Sequence, residues 1–188
     1  MNDRDRSIEE LPANREGRAP SDVQVLPIVA SEGEVLRHLV DLYAYDFSTS
    51  MGLDVEENGR FAFGDLSPYW TEPLRHPFFV RSHGKLAGFA LVHERSRLSG
   101  TEGIRDMAEF FILRKHRRRG VGEMAARAIF DRFSGSWEIR QRSSNVDATK
   151  FWRRIIERYT NGAFREVTWN DGTWQGPVQF FRCPSGSR

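Results

Sequence analysis

The sequence is short of several things, and each shortage closes off a class of structure. It has one cysteine, Cys183, so no internal disulfide can form. That fits a reducing, cytoplasmic compartment, with Cys183 read as an ordinary strand residue near the C-terminus. No long apolar run is present, so no membrane-spanning helix and no membrane association are expected. The first 22 residues are polar and charged and lack the apolar stretch and small-residue site of a secretory signal. His83 reads as a turn residue, and neither His93 nor His116 has cysteines or acids at ligand spacing, so no metal site is expected. The net charge is only +2, too little by itself to require a polyanionic partner. There is no internal repeat.

What is present suits one domain. A chain of 188 residues can bury a core without staples. Residues 1–22 alternate charges with Pro and Gly and read as a flexible arm; residues 23–183 carry the folding pattern, and 184–188 form a short tail. Val23 to Val29 reads as a strand whose Pro27 suits an edge. A helix follows, opened by Ser31 and Glu34 at capping-box spacing, with Val35, Leu36, Leu39, Val40, Tyr43 and Phe47 on one face. Residues 48–76 are mostly loop, with one short helix, and are rich in aromatics. Long loops of this kind are often binding elements. Residues 78–93 form a hairpin about Ser82–Lys85, in which Gly88 signals a bulge or close approach.

Residues 95–105 read as a polar connection and 107–113 as a fourth strand. A helix follows with Val121, Met124, Ala125, Ala128, Ile129 and Phe133 on one face, then a strand over 137–142. Asp147 is placed to cap a helix whose stripe is Ala148, Phe151, Trp152, Ile155, Ile156 and Tyr159, ended by Asn161-Gly162. Residues 164–169 and 178–183 close the chain as a hairpin. The order predicts an α/β (mixed α+β) fold, a twisted sheet of about seven strands with helices on its faces.

The strongest chemical signal is Arg117-Arg118-Arg119-Gly120-Val121-Gly122, between a strand and an amphipathic helix. Helix N-termini carry unsatisfied N–H donors and partial positive charge. Glycines let an anion approach the backbone, and arginines add forked donors. A G-x-G alone is weak, and the run from Arg114 to Arg119 taken alone reads equally well as a solvated face or a nucleic-acid patch. Its confinement to one loop at the start of a helix favours a pyrophosphate cradle and argues against nucleic acid. The dinucleotide fingerprint and the Walker Lys-Ser/Thr are absent.

Arg117-x-x-Gly120-x-Gly122 matches the R/Q-x-x-G-x-G/A motif of the GNAT superfamily, and the chain resembles that family in element order from Val23 to Cys183, most specifically from Met107 to Phe164. The resemblance implies a sheet splayed between its fourth and fifth strands, and acetyl-CoA as co-substrate. The N–H groups from Arg117 to Gly122 (Arg118, Arg119, Gly120 and Val121 between them) would hold the CoA pyrophosphate. Ile112 and Leu113 would pair with the pantetheine arm, Asn145 would reach that arm, and Phe151 and Trp152 would line the thioester end. Many members carry Tyr where this chain has Trp152, so the usual donor to the leaving thiolate is missing.

Acetyl transfer to an amine needs a base, because alkyl amines are protonated at neutral pH. Glu109, on the fourth strand where such carboxylates commonly sit in the family, is the catalytic candidate. Aromatic neighbours would raise its pKa; the alternative is that it faces solvent or pairs with Arg140. The acceptor, a small-molecule or peptide amine, would meet the first helix, the following loop and the C-terminal hairpin, with Tyr43, Tyr45, Asp46, Tyr69 and Trp70 as candidates. A non-catalytic acyl-CoA-binding module is the second reading. Dimers are frequent in the family, which leaves a homodimer open.

Overall fold

The computed structural model describes residues 22–184. The arm expected over 1–22 and the tail over 184–188 fall almost wholly outside them. A seven-stranded sheet forms the centre: β1 (Val23–Pro27), β2 (Arg75–Ser82), β3 (Lys85–Arg95), β4 (Glu102–Ile112), β5 (Gly135–Arg140), β6 (Phe164–Asn170) and β7 (Gln175–Cys183). The helices are α1 (Gly33–Met51), α2 (Pro68–Thr71), α3 (Val121–Arg132) and α4 (Val146–Thr160). Strand order is β1-β2-β3-β4-β5-β7-β6, and every pairing is antiparallel except β4 with β5. This is the mixed sheet expected from the sequence. No helix among the described residues is long and apolar enough to cross a membrane.

Local chemistry sets the elements. Pro27, which cannot donate to a ladder, lies on the edge strand β1. The β2–β3 turn is His83-Gly84, with φ of 49° and 70°, the left-handed pair that matches the twist of a two-residue hairpin. Gly88 is the close approach its position suggested: a Cβ there would lie 1.9 Å from the Phe111 carbonyl oxygen. On one face of the sheet, α3 and α4 bury Ala125, Ile129, Phe130, Trp152, Ile155 and Ile156 against Trp137, Ile139 and Phe181. On the other, Leu36, Leu39 and Val40 of α1 pack on Phe79, Phe89, Leu91 and Phe111.

Several boundaries differ from the sequence reading. β1 stops at Pro27. The chain enters α1 through a 3-10 turn at Ala30–Glu32, so Ser31 lies inside that turn, and Glu32 rather than Glu34 accepts the Val29 N–H at 3.2 Å. Val35 is 40 % exposed, at the rim of its stripe. In α3 the buried set includes Ala126 and Phe130, while Ala128 faces out. The ring of Phe130, set among Trp137, Trp152, Tyr159 and Phe181, fixes that rotation. Burying a side chain of that size is worth ~1.5–3 kcal/mol. The polar connection shrinks because β3 runs to Arg95 and β4 starts at Glu102. Asn145, not Asp147, caps α4, accepting the Ala148 N–H at 3.1 Å.

Candidate active site

The site begins where two strands part. β4 and β5 pair only over Ile104–Asp106 and Ser136–Glu138; beyond Asp106, β4 runs on to Ile112 without β5 beside it. Leu113 N–H donates back to Ala87 at 2.8 Å, so by alternation the peptide groups of Ile112 and Phe110 turn toward the gap. At the far end of β4 lies the arginine loop. Arg118 (φ 57°) and Gly120 (φ 80°) are left-handed, and the first full helical bond of α3 runs from Met124 N–H to Gly120 at 3.0 Å. The N–H groups of the first turn therefore have no partner within the helix. Arg118 and Arg119 are exposed and have no carboxylate partner among the described residues.

Arg117 is used differently. Its Nε donates to the Ile112 carbonyl at 2.6 Å, and its Nη2 meets Asp46 Oδ2. Asp46 also takes Arg114 Nε at 2.5 Å. Burial would raise the Asp46 pKa, but these two guanidiniums hold it below the usual carboxylate range. α1 is thereby fastened to the loop, one helical turn after Tyr43.

The Tyr43 hydroxyl donates to Glu109 Oε2 at 2.6 Å. Its ring is fixed by Phe47, Phe63, Phe89 and Phe111 at centroid distances of 4.9–6.3 Å. Glu109 pairs across the ladder with Leu91, which places it on the α1 face, as strand alternation with Phe111 and Leu113 suggested. Burial raises its pKa; the Tyr43 hydrogen bond and the charge of Arg97 pull the other way. Arg140 does not pair with it, being bonded to buried Asp106 at 3.1 and 3.3 Å.

Glu109 opens into a cleft of about 820 Å³ lined by Phe63, Leu66, Tyr69, Arg75, His93 and Arg97 among others. Tyr69 OH and His93 Nε2 lie 2.8 Å apart. Burial, with the charges of Arg75, Arg97 and Arg140, pushes the His93 pKa down to about 4, so the ring is neutral near pH 7. A carboxylate of raised pKa therefore sits where a large polar cleft meets a strand gap leading to a helix end with free N–H donors.

The profile of the Acetyltransferase (GNAT) family matches residues 36–156, well over half of the chain. The chain belongs to the GNAT family. Solved structures agree on the fold. An acetyltransferase from Thermus thermophilus superposes with a TM-score of 0.63 at 15 % identity, covering 88 % of this chain and 99 % of that one. Spermidine N-acetyltransferase from Vibrio cholerae, in complex with CoA and spermine, gives 0.58 at 11 %, covering 87 % and 96 %. An aminoglycoside acetyltransferase from an uncultured soil metagenomic sample, in complex with sisomicin, gives 0.53 at 13 %, covering 71 % and 86 %. No curated protein sequence matches the chain. At these identities the likeness carries the fold and not the acceptor.

Acetyl-CoA is the GNAT donor, and the residues here fit it. The N–H groups of the first turn of α3, backed by Arg118 and Arg119, suit a pyrophosphate. The open edge of β4 offers the Phe110 peptide and the Ile112 N–H to the pantetheine and thioester end, the Ile112 carbonyl being held by Arg117. Leu113 does not serve there, because its N–H is taken by Ala87 and its carbonyl by His116. Phe151 reaches the first turn of α3: a Cβ on Gly122 would lie 3.1 Å from its ring, so Gly122 permits helix packing as well as anion approach. Trp152 lies with Phe110, Phe130 and Phe151, only 6 % exposed, and is core. Asn145 has its Oδ1 committed to the α4 cap, so any contact with a ligand falls to its amide nitrogen.

Of the acceptor candidates, Tyr43 and Tyr69 reach the site. Asp46 is bound to Arg114 and Arg117 and does not face an amine. Tyr45 is 68 % exposed on the outside of α1. Trp70 donates to the Ile28 carbonyl at 3.0 Å and packs over Gly33, fastening α2 to the sheet edge. The sequence reading missed His93, Arg97, Asp106 and Glu138. Alternation from Leu91 would have put His93 on the Glu109 face, and a glutamate between Trp137 and Ile139 was a visible charge in an apolar strand.

Proposed function

We propose that this protein is an N-acetyltransferase that moves the acetyl group of acetyl-CoA to a primary amine of a small molecule or peptide, directly, with both bound at once. The observation that carries the reading is Glu109: a half-buried carboxylate of raised pKa, oriented by Tyr43, at the junction of cleft and gap. An ammonium entering the cleft gives its proton to Glu109, and the freed nitrogen lone pair attacks the thioester carbon. The Ile112 N–H, turned into the gap, is the donor placed for the developing oxyanion. Collapse breaks the C–S bond and releases the thiolate. Trp152 is buried and offers that thiolate no acid, so its proton comes from water or from the departing amide.

The test is calorimetric titration with acetyl-CoA of the wild type, Gly120→Glu and Gly120→Ala, followed by thiol release over a panel of amines. Both substitutions lose the left-handed freedom of Gly120; only Glu adds an opposing charge. Tight wild-type binding, retained better in Ala than in Glu, with thiol release on some amine, supports the reading. Binding without turnover on any amine leaves the acyl-CoA-binding module instead.

A further inference from the structure

Charge around the cleft is mostly cancelled in pairs. Arg75 meets Glu72 at 2.6 Å, Arg95 meets Glu102, Arg105 meets Glu94 at 3.0 Å, and Arg140 meets Asp106. Arg97 and Arg142 are the arginines left over: among the described residues, neither guanidinium has a carboxylate or another hydrogen-bond acceptor, while of the lining acids Asp65, at the Phe63–Leu66 side of the cleft, meets no cation and bonds Ser67. Arg97 lines the cleft beside His93 and Glu109. Arg142 lies over the Trp174 ring at 5.2 Å, and its charge reaches Tyr43 from the β5 side of the gap. Beside the base, in the cleft itself, the unpaired guanidinium is that of Arg97.

The turn that presents Arg97 is unusually well anchored. Glu138, 1 % exposed on β5, accepts the Arg97 N–H at 2.8 Å and the Ser96 hydroxyl at 2.7 Å. Ser96 Oγ in turn takes the N–H groups of Leu98 and Ser99 at 3.2 and 3.0 Å, and Ser96 N–H donates to Thr101 at 2.9 Å. Burying a carboxylate is costly unless it is hydrogen-bonded. Here one is buried to fix a surface turn, and what that turn delivers to the cleft is an unpaired guanidinium.

We infer that the acceptor carries an anionic group, a carboxylate or a phosphate, close to its amine: Arg97 receives the anion while Glu109 receives the ammonium. This rests on the transferase reading above and names its substrate class. A zwitterionic acceptor of amino-acid type satisfies both ends with charge-assisted hydrogen bonds. A polyamine leaves Arg97 without a partner and meets it as repulsion.

The experiment measures kcat/KM on the full chain for matched acceptors with and without the anion. These are tyrosine and tyramine, histidine and histamine, O-phosphoethanolamine and ethanolamine, with spermidine as a polycation. In at least one pair the anionic member should be preferred roughly tenfold or more; the amino-acid and phosphate arms tell carboxylate from phosphate. Arg97→Ala should bring that ratio near one, and Arg97→Lys should keep part of it, since the charge stays and the fork is lost. Thermal unfolding of both variants checks that this exposed substitution leaves the fold intact. Equal or better turnover of the anion-free amines or spermidine, or an Arg97→Ala loss shared equally by both members, overturns the inference and leaves the transferase standing. No transfer to any acceptor, with acetyl-CoA bound, overturns both.

Discussion

Removing the Tyr43 hydroxyl should move the working pH of the site upward. Tyr43→Phe is a clean perturbation, because four aromatic rings hold the side chain and Phe fills the same space. What is lost is one donor to Glu109 at 2.6 Å. Hydrogen bonds to charged groups contribute ~1.5–3 kcal/mol, and this one favours the ionised carboxylate. Burial already raises the Glu109 pKa; without Tyr43 it rises further. The base must be ionised to accept a proton, so activity is present above its pKa and lost as pH falls through it. The acidic limb of kcat/KM therefore shifts to higher pH. On the acid side of that limb, kcat/KM falls roughly ten-fold or more. At high pH the variant recovers much of the wild-type rate. The assay is thiol release across pH with a turned-over amine. An unmoved limb, or one displaced to lower pH, would refute the role given to this bond.

Three further outcomes follow from the packing. Asp46→Asn removes the carboxylate that ties α1 to the arginine loop. Its folded pKa is depressed, so it contributes stability above the unfolded carboxylate range that disappears as pH falls through the folded value. Denaturant midpoints should differ at pH 7 and converge at strongly acid pH. Gly88→Ala drives a methyl into the Phe111 carbonyl, and unfolding free energy should fall by more than ~2 kcal/mol, measured by urea denaturation. Trp152→Tyr, which restores the residue many GNAT members carry, should lower the melting temperature by opening the aromatic core, and steady-state kinetics should show no gain in kcat.

How much was legible depended on how local the cause was. The arginine loop, the hairpins and the helical stripes are written in short-range spacing, and so the sheet and the turn from β4 into α3 could be read. Glu109 could be named as a candidate from its place on the fourth strand, but its partner could not: Tyr43 is 66 residues away, and only the packing of α1 on β4 joins them. Asp46 misled for the same reason. An acid on a helix near the site reads as a cation-binding group until the fold brings Arg114 and Arg117 onto it. Trp70 is adjacent to Tyr69, yet the short helix α2 turns one ring to His93 and the other to Ile28. Glu138 was a buried charge whose use, holding the turn of Arg97, depends on a loop 41 residues earlier.

The most direct test of Glu109 as the base is Glu109→Gln, with acetyl-CoA affinity and turnover measured on the same preparation. The account predicts acetyl-CoA binding close to wild type and a fall in kcat/KM of roughly 10²–10⁴. Turnover that survives the substitution unchanged would contradict it.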